Sequence, residues 1–209
     1  MPFIAFLGCD GSGKSAVIAA VSEQSRAAGL IVSQGHWRPV ALGDSGKGSV
    51  HRRVDDPHGQ KPRGIFSSVL KLFWLALNWW VGWFRSLRRQ ANDGLLIFDR
   101  YHADLVVDPR RYRYGGPMWL ARLASRWMPQ PDAVFFLDAS PEVLLSRKRE
   151  VPKAALENSR AAYLRFASKN QLVQVIDATR SLDEVVSDVL ARLRAQASSN
   201  GRVRSSSSS

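Results

Sequence analysis

The chain has 209 residues, 45% hydrophobic and 23% charged, a composition that suits one globular domain and excludes a disordered or collagen-like chain. Lys and Arg number 30 against 18 Asp and Glu, for a formal charge of +12, which favours anionic ligands such as phosphates, nucleic acid or acidic lipid. The single cysteine, Cys9, excludes an internal disulfide and a cysteine-based zinc site. The opening Met-Pro-Phe-Ile-Ala-Phe-Leu has neither a basic leader nor a small-residue cleavage site, so no secretion signal is expected and the expected compartment is the cytoplasm.

Phe3 to Leu7 reads as a short strand buried on both faces. It runs into a glycine-rich stretch, and Val17, Ile18 and Val21 then mark a helix over 15–28 that Gly29 closes. A second strand is expected at 30–32. Residues 43–64 carry almost no apolar periodicity and read as a long mobile loop. Strands are expected again at 95–98, 133–137 and 172–176, separated by helical patterns, which predicts a five-stranded parallel sheet covered by helices on both faces. Residues 1–197 thus form a single domain, and 198–209 form a disordered Ser-rich tail.

The segment 65–84 has one charge, Lys71, and is long enough to span a bilayer. On a helix, however, Ser67, Lys71, Asn78 and Arg85 fall within about 40° of one another, leaving one narrow polar stripe on an apolar cylinder. This favours a core helix whose stripe faces a site or solvent. A membrane-surface contact through the tryptophans and a true span are the other readings.

Gly8-Cys9-Asp10-Gly11-Ser12-Gly13-Lys14-Ser15 is a complete Gly-x-x-x-x-Gly-Lys-Ser between a predicted strand and helix. Its backbone N–H groups, with Ala16 at the helix start, suit ATP phosphates. Lys14 suits the β- and γ-phosphates, and the Ser15 hydroxyl suits Mg²⁺. Asp99 ends the third strand, where a carboxylate can hold Mg²⁺ or its water; an ordinary strand-end aspartate is the plainer alternative. Arg100 beside it suits bidentate phosphate binding. Arg147-Lys148-Arg149, late in a helix, either complement the helix dipole or form a lid over about 146–155 whose cations close on a transferring phosphoryl group.

The phosphate loop, Asp99-Arg100-Tyr101, Pro131-Asp132, Leu137-Asp138 and Pro141-Glu142 before the lid arginines come in an order that resembles the thymidylate kinase family over residues 3–196. The resemblance implies a five-stranded P-loop fold and transfer of the γ-phosphoryl of ATP to a nucleoside monophosphate, with Mg²⁺. It also implies a homodimer formed by helix packing. By the same resemblance Asp10 contacts the acceptor's sugar hydroxyl and Arg100 bridges the acceptor phosphate and the γ-phosphoryl. Arg38 matches the family's Arg-x-Pro, and Arg147 or Arg149 supplies the catalytic cation that Gly11 and Ser12 cannot. The chain departs from the family in having Leu77-Asn78-Trp79-Trp80 where an aromatic and an arginine usually hold thymidylate. A Tyr- and Arg-rich loop also follows Tyr101. The candidate acceptor set is therefore Asp10, Arg38, Trp74, Asn78, Tyr101 and Arg111, with dTMP the best-defined acceptor and a phosphorylated sugar or lipid-linked intermediate the alternative. A regulatory nucleotide-binding NTPase is the competing function. No nucleic-acid partner is expected, because no recognition module is visible.

Overall fold

The computed structural model describes residues 2–37, 63–147 and 152–206, with side chains through 196. Arg38, Arg149, nearly all of the 43–64 loop and the centre of the 146–155 lid lie outside these described residues.

Five strands form one parallel sheet: β1 (Phe3–Leu7), β2 (Val32–His36), β3 (Leu95–Asp99), β4 (Ala133–Asp138) and β5 (Val173–Asp177), in the order β2-β3-β1-β4-β5. β1 is apolar throughout, β3 and β4 are apolar up to the aspartates that end them, and all three are almost wholly buried, as central parallel strands covered on both faces must be. β2, with Ser33, Gln34 and Gly35, is an edge strand and starts two residues later than its apolar run suggests. The helices are α1 (Lys14–Ala27), α2 (Ile65–Gly82), α3 (Arg88–Asp93), α4 (Asp104–Val107), α5 (Met118–Trp127), α6 (Pro141–Arg147), α7 (Lys153–Ala167) and α8 (Leu182–Ser206). α8 continues helical through residues that composition assigns to a disordered tail.

One face of the sheet presents Phe3, Phe98 and Phe136. Phe3 and Phe98 meet Trp79 of α2 at ring-centroid distances of 6.4 and 5.0 Å, and Phe136 stacks on Tyr163 of α7 at 5.0 Å. On the other face Phe6 and Phe135 pack together at 5.5 Å. Parallel register explains the split, because Phe3 aligns with Leu96 and Ala5 with Phe98, so each pair points the same way.

A π-helical turn over Trp83–Leu87 joins α2 to α3, making a continuous helix from Ile65 to Asp93 that is long and apolar enough to cross a membrane by length and composition. Its inward residues Leu72, Leu75 and Trp79 are nevertheless buried in the core. Its outer residues, among them Phe66 at 83% exposure, Phe73 and Leu77, make an apolar strip. On α5, which packs against α2, Trp119, Leu123 and Trp127 are exposed as well.

The chain leaves β1 through α1 for the β2 edge, and leaves β3 through α4 and α5 for β4 on the other side of β1. Adjacent strands β1 and β3 thus send their connections in opposite directions, opening a crevice at their carboxyl ends where α/β sheets bind ligands.

Candidate active site

The phosphate loop fills that crevice. Gly8 and Gly13 have φ of 155° and 83°, values that side-chain-bearing residues rarely adopt. A Cβ on Gly8 would also lie 2.7 Å from Ser12 Oγ and 3.0 Å from the Leu137 carbonyl oxygen. Gly13 caps α1, so the helix N-terminus points into the crevice. Lys14 is buried and folds back along the loop, its Nζ donating to the carbonyls of Gly8 and Cys9 at 2.9 Å each. Burial, and then repulsion from Arg100, lower its pKa to about 8. Burial pushes the Cys9 thiol up to about 11, so it stays protonated and unreactive near neutral pH.

Arg100 sits directly after β3 with φ of 63°, a left-handed posture costing a non-glycine residue about 1 kcal/mol or more. Its backbone N–H donates to the Phe6 carbonyl at 2.9 Å, and its guanidinium is committed on three sides. It donates to Asp104 Oδ2 at 2.8 Å, Tyr163 Oη at 3.1 Å and Asp10 Oδ1 at 3.1 Å. Asp104, fully buried, also accepts from the hydroxyls of Tyr112 at 2.5 Å and of Tyr163. Burial opposes the Asp104 charge, but Arg100 and the two phenols outweigh it and hold the carboxyl below its ordinary range.

Asp10 is clamped from the far side as well. Arg111 donates from both terminal nitrogens to its two oxygens, at 3.0 and 3.1 Å. Burial works against ionisation of Asp10, and Arg111, then Arg100 and Lys14, overcome it and hold the pKa well below the usual carboxylate range. Between Cys9, Asp10, Asp108, Arg111, Ser159 and Tyr163 only about 10 Å³ of space remains, so the Arg111–Asp10 pair closes this part of the crevice. At its edge Trp37 stacks on Tyr112, centroids 4.7 Å apart, with Lys71 Nζ 5.8 Å from the Trp37 ring centroid and donating to the Tyr112 carbonyl at 3.1 Å.

Asp99 ends β3 in register with Phe6 of β1. Its Oδ1 is buried without a hydrogen-bond partner, while Oδ2 lies 3.9 Å from His36 Nε2. An orphaned carboxylate oxygen at this strand end suits a hard, oxygen-seeking cation such as Mg²⁺. Among the described residues no group of three or more His, Cys, Asp or Glu side chains could hold a metal.

From the residues the sequence singles out, the structure brings the phosphate loop and Lys14 together with Asp10, Arg100 and Arg111, with Asp99 at the neighbouring strand end; Arg38 and Arg149 lie outside the described residues. Tyr101 is buried and turned edge-on to His102, lining a cavity among α4, α5 and α7. Asn78 lies buried on the inward side of α2, and Trp74 stays partly exposed on the same helix. Arg147 donates to the Ala178 carbonyl at 3.0 Å, beyond the edge strand β5 and two strands from β1. Sequence reasoning missed Asp104 and Tyr163, and also Arg160, whose fork grips Asp138 at 2.6 and 2.8 Å, and it noted Tyr112 only as part of the Tyr- and Arg-rich loop. The one local signal was the Arg100–Asp104 spacing, which suits a helical pair. Tyr163 reaches Asp104 across 59 residues of sequence, and nothing local marks that.

A family model described as "Thymidylate kinase" matches residues 6–189. A Sulfolobus acidocaldarius protein described as "Probable thymidylate kinase" is 25% identical, over 90% of this chain and 94% of its own length. The thymidylate kinase of Cupriavidus metallidurans is 30% identical, over 88% of this chain and 92% of its own. In three dimensions the thymidylate kinase of Ehrlichia chaffeensis superposes with a TM-score of 0.61 at 18% identity, covering 92% of this chain and 98% of that one. At that identity the superposition speaks for the fold.

Proposed function

The chain belongs to the thymidylate kinase family and is a phosphotransferase of the nucleotide kinase class, and from that premise we propose that it moves the γ-phosphoryl of ATP to a nucleoside monophosphate, with dTMP the best-defined acceptor. The observation that carries this reading is the Arg100–Asp10–Arg111 cluster at the mouth of the phosphate loop, which faces one anionic binding place with cations held for another.

In this reading Lys14 leaves the Gly8 and Cys9 carbonyls for the β- and γ-phosphate oxygens, and the loop N–H groups with the α1 terminus hold the remaining oxygens. Arg100, fixed by Asp104 and Tyr163, holds the acceptor phosphate in line. One acceptor oxygen forms the new P–O bond as the bond to ADP breaks; that oxygen is already anionic, so the site needs no general base. Asp10 accepts from the acceptor's sugar hydroxyl once Arg111 releases it, which couples acceptor entry to a rearrangement of the Arg111 loop. Ser15 and Asp99 are the residues that would hold Mg²⁺, which supplies neutralisation of charge between the β- and γ-phosphates. Arg147, freed from Ala178, and Arg149 are the proposed lid cations. We place the reaction in the cytoplasm.

The test is Mg²⁺-dependent ADP release from ATP, first without acceptor and then with dTMP, dUMP, CMP, UMP, GMP or sugar phosphates. Stimulation by dTMP supports the thymidylate assignment; stimulation by another acceptor alone replaces dTMP; and tight ATP binding with no stimulated turnover refutes the kinase reading. Lys14→Ala must abolish turnover. The same reading gives the apolar strip of α2 and α5 to a second copy of the chain. A monomer at micromolar concentration in sedimentation refutes that, and binding to anionic vesicles would move the strip to a membrane surface.

A further inference from the structure

On the sheet face that carries Trp79 and Tyr163, helices α4, α5 and α7 surround a cavity of about 460 Å³, within the size range of small-ligand sites. It is not part of the phosphate-loop crevice. Gln130 and Leu172, which line it, stand just before the amino ends of β4 and β5, while Tyr101 and Ala103 line it from beyond the carboxyl end of β3, and no residue of the phosphate loop is among its lining.

The chemistry of the wall is one-sided. Arg122 and Arg126, one helical turn apart on α5, and Lys169 just beyond α7 all line the cavity, and none of its described lining residues is acidic. The three cations make no side-chain hydrogen bond or ion pair with any described residue. By contrast, every arginine around Asp10 and Asp104 is paired. Deeper in, Phe166 and Val106 supply apolar surface. Tyr101 also lines the cavity, and its hydroxyl makes no hydrogen bond to any described residue. The cavity therefore has cations on its wall, an apolar interior and an unused phenolic donor.

We propose that this cavity is a second ligand site for a small organic phosphate carrying a ring-sized apolar body, with Arg122, Arg126 and Lys169 taking the phosphate and Phe166 and Tyr101 the ring. Tyr101 is bonded to Arg100, and Val106 lies on the helix that begins with Asp104. An occupant thus presses on the residues that set the Arg100 guanidinium, and the site is placed to act on the kinase centre from a distance.

Calorimetric titration with 1-naphthyl phosphate tests the site without relying on kinase activity, because binding alone is read. Inorganic phosphate and 1-naphthol serve as half-ligands, and each must bind more weakly than the whole. The affinity of 1-naphthyl phosphate should stay within about twofold in Lys14→Ala and fall about tenfold or more in Arg122→Ala/Arg126→Ala. It should also fall in Lys169→Glu, a charge reversal on a separate segment. Arg122 and Arg126 are exposed on α5, so the double variant should fold and keep its ATP affinity. No binding to the wild type overturns the proposal, as does equal affinity in all four proteins. Loss in Lys14→Ala with retention in the double variant gives the ligand to the phosphate loop instead and equally overturns it.

Discussion

Replacing Asp104 with Asn removes a fully buried carboxylate that accepts from Arg100 at 2.8 Å, from Tyr112 at 2.5 Å and from Tyr163. An amide is nearly isosteric, so the loss is charge and acceptor capacity rather than volume. Arg100 is left buried with only Asp10 as counter-charge, at 3.1 Å, and one of the phenols must face an N–H₂ group. Breaking a buried ion pair from one side costs about 3–5 kcal/mol. Because Asp10 still shares the Arg100 charge, the lower end applies, and we expect about 3 kcal/mol. For a chain of this length that corresponds to a fall of roughly 6–12 °C in Tm. Urea titration and calorimetry of both proteins read it directly. In the same variant kcat should fall more than ATP affinity, because Arg100 loses its orientation while the phosphate loop is untouched. Tyr163→Phe, which removes one hydroxyl but leaves the charge pair, should cost only about 1.5–3 kcal/mol. A loss below about 1 kcal/mol in Asp104→Asn, with kcat intact, would show that the buried carboxylate neither supports the core nor positions Arg100.

Three further outcomes are expected. Lys14 of the ligand-free chain titrates near pH 8 and must be charged to hold phosphates, so ATP affinity should hold below that pH and fall up to about tenfold per pH unit above it. A Lys14→Met variant should bind weakly at every pH, and a flat wild-type profile to pH 9.5 would contradict the assignment. Burial lowers His102 from 6.5 to about 3, so the unfolded chain takes up a proton that the folded chain refuses. That contribution is complete above pH 6.5 and is lost at about 1.4 kcal/mol per pH unit as pH falls toward 3; urea titrations at pH 7.5 and 5 should show a steeper loss in wild type than in His102→Gln. On α2, Trp79→Ala should cost about 3–5 kcal/mol by opening a cavity against Phe3 and Phe98, whereas Phe73→Ser on the exposed side should leave monomer stability within about 0.5 kcal/mol. Equal losses at both positions in chemical denaturation would reverse the orientation of the helix.

Much of the fold is legible along the chain. The apolar runs at 3–7, 95–98 and 133–137 are strands because buried parallel strands need unbroken hydrophobicity, a purely local requirement. The glycine spacing of the phosphate loop is equally local, since φ at Gly8 and Gly13 is set by the turn itself, and its two neighbours Asp99 and Arg100 follow from the strand end they occupy. The Asp10–Arg111 clamp and the Asp104–Tyr112–Tyr163 pocket under Arg100 depend instead on which helices the sheet order lays side by side. The same is true of Tyr101, which lines the cavity among α4, α5 and α7, since a buried side chain's direction is fixed by what packs against it. Sequence alone thus determined the strand–loop–helix chemistry that binds phosphate, because backbone geometry and hydrophobic patterning act over a few residues. Only the tertiary structure decided which charges neutralise one another, because Coulomb and hydrogen-bond partners are chosen by distance in space, and Asp10 and Arg111 lie 101 residues apart along the chain.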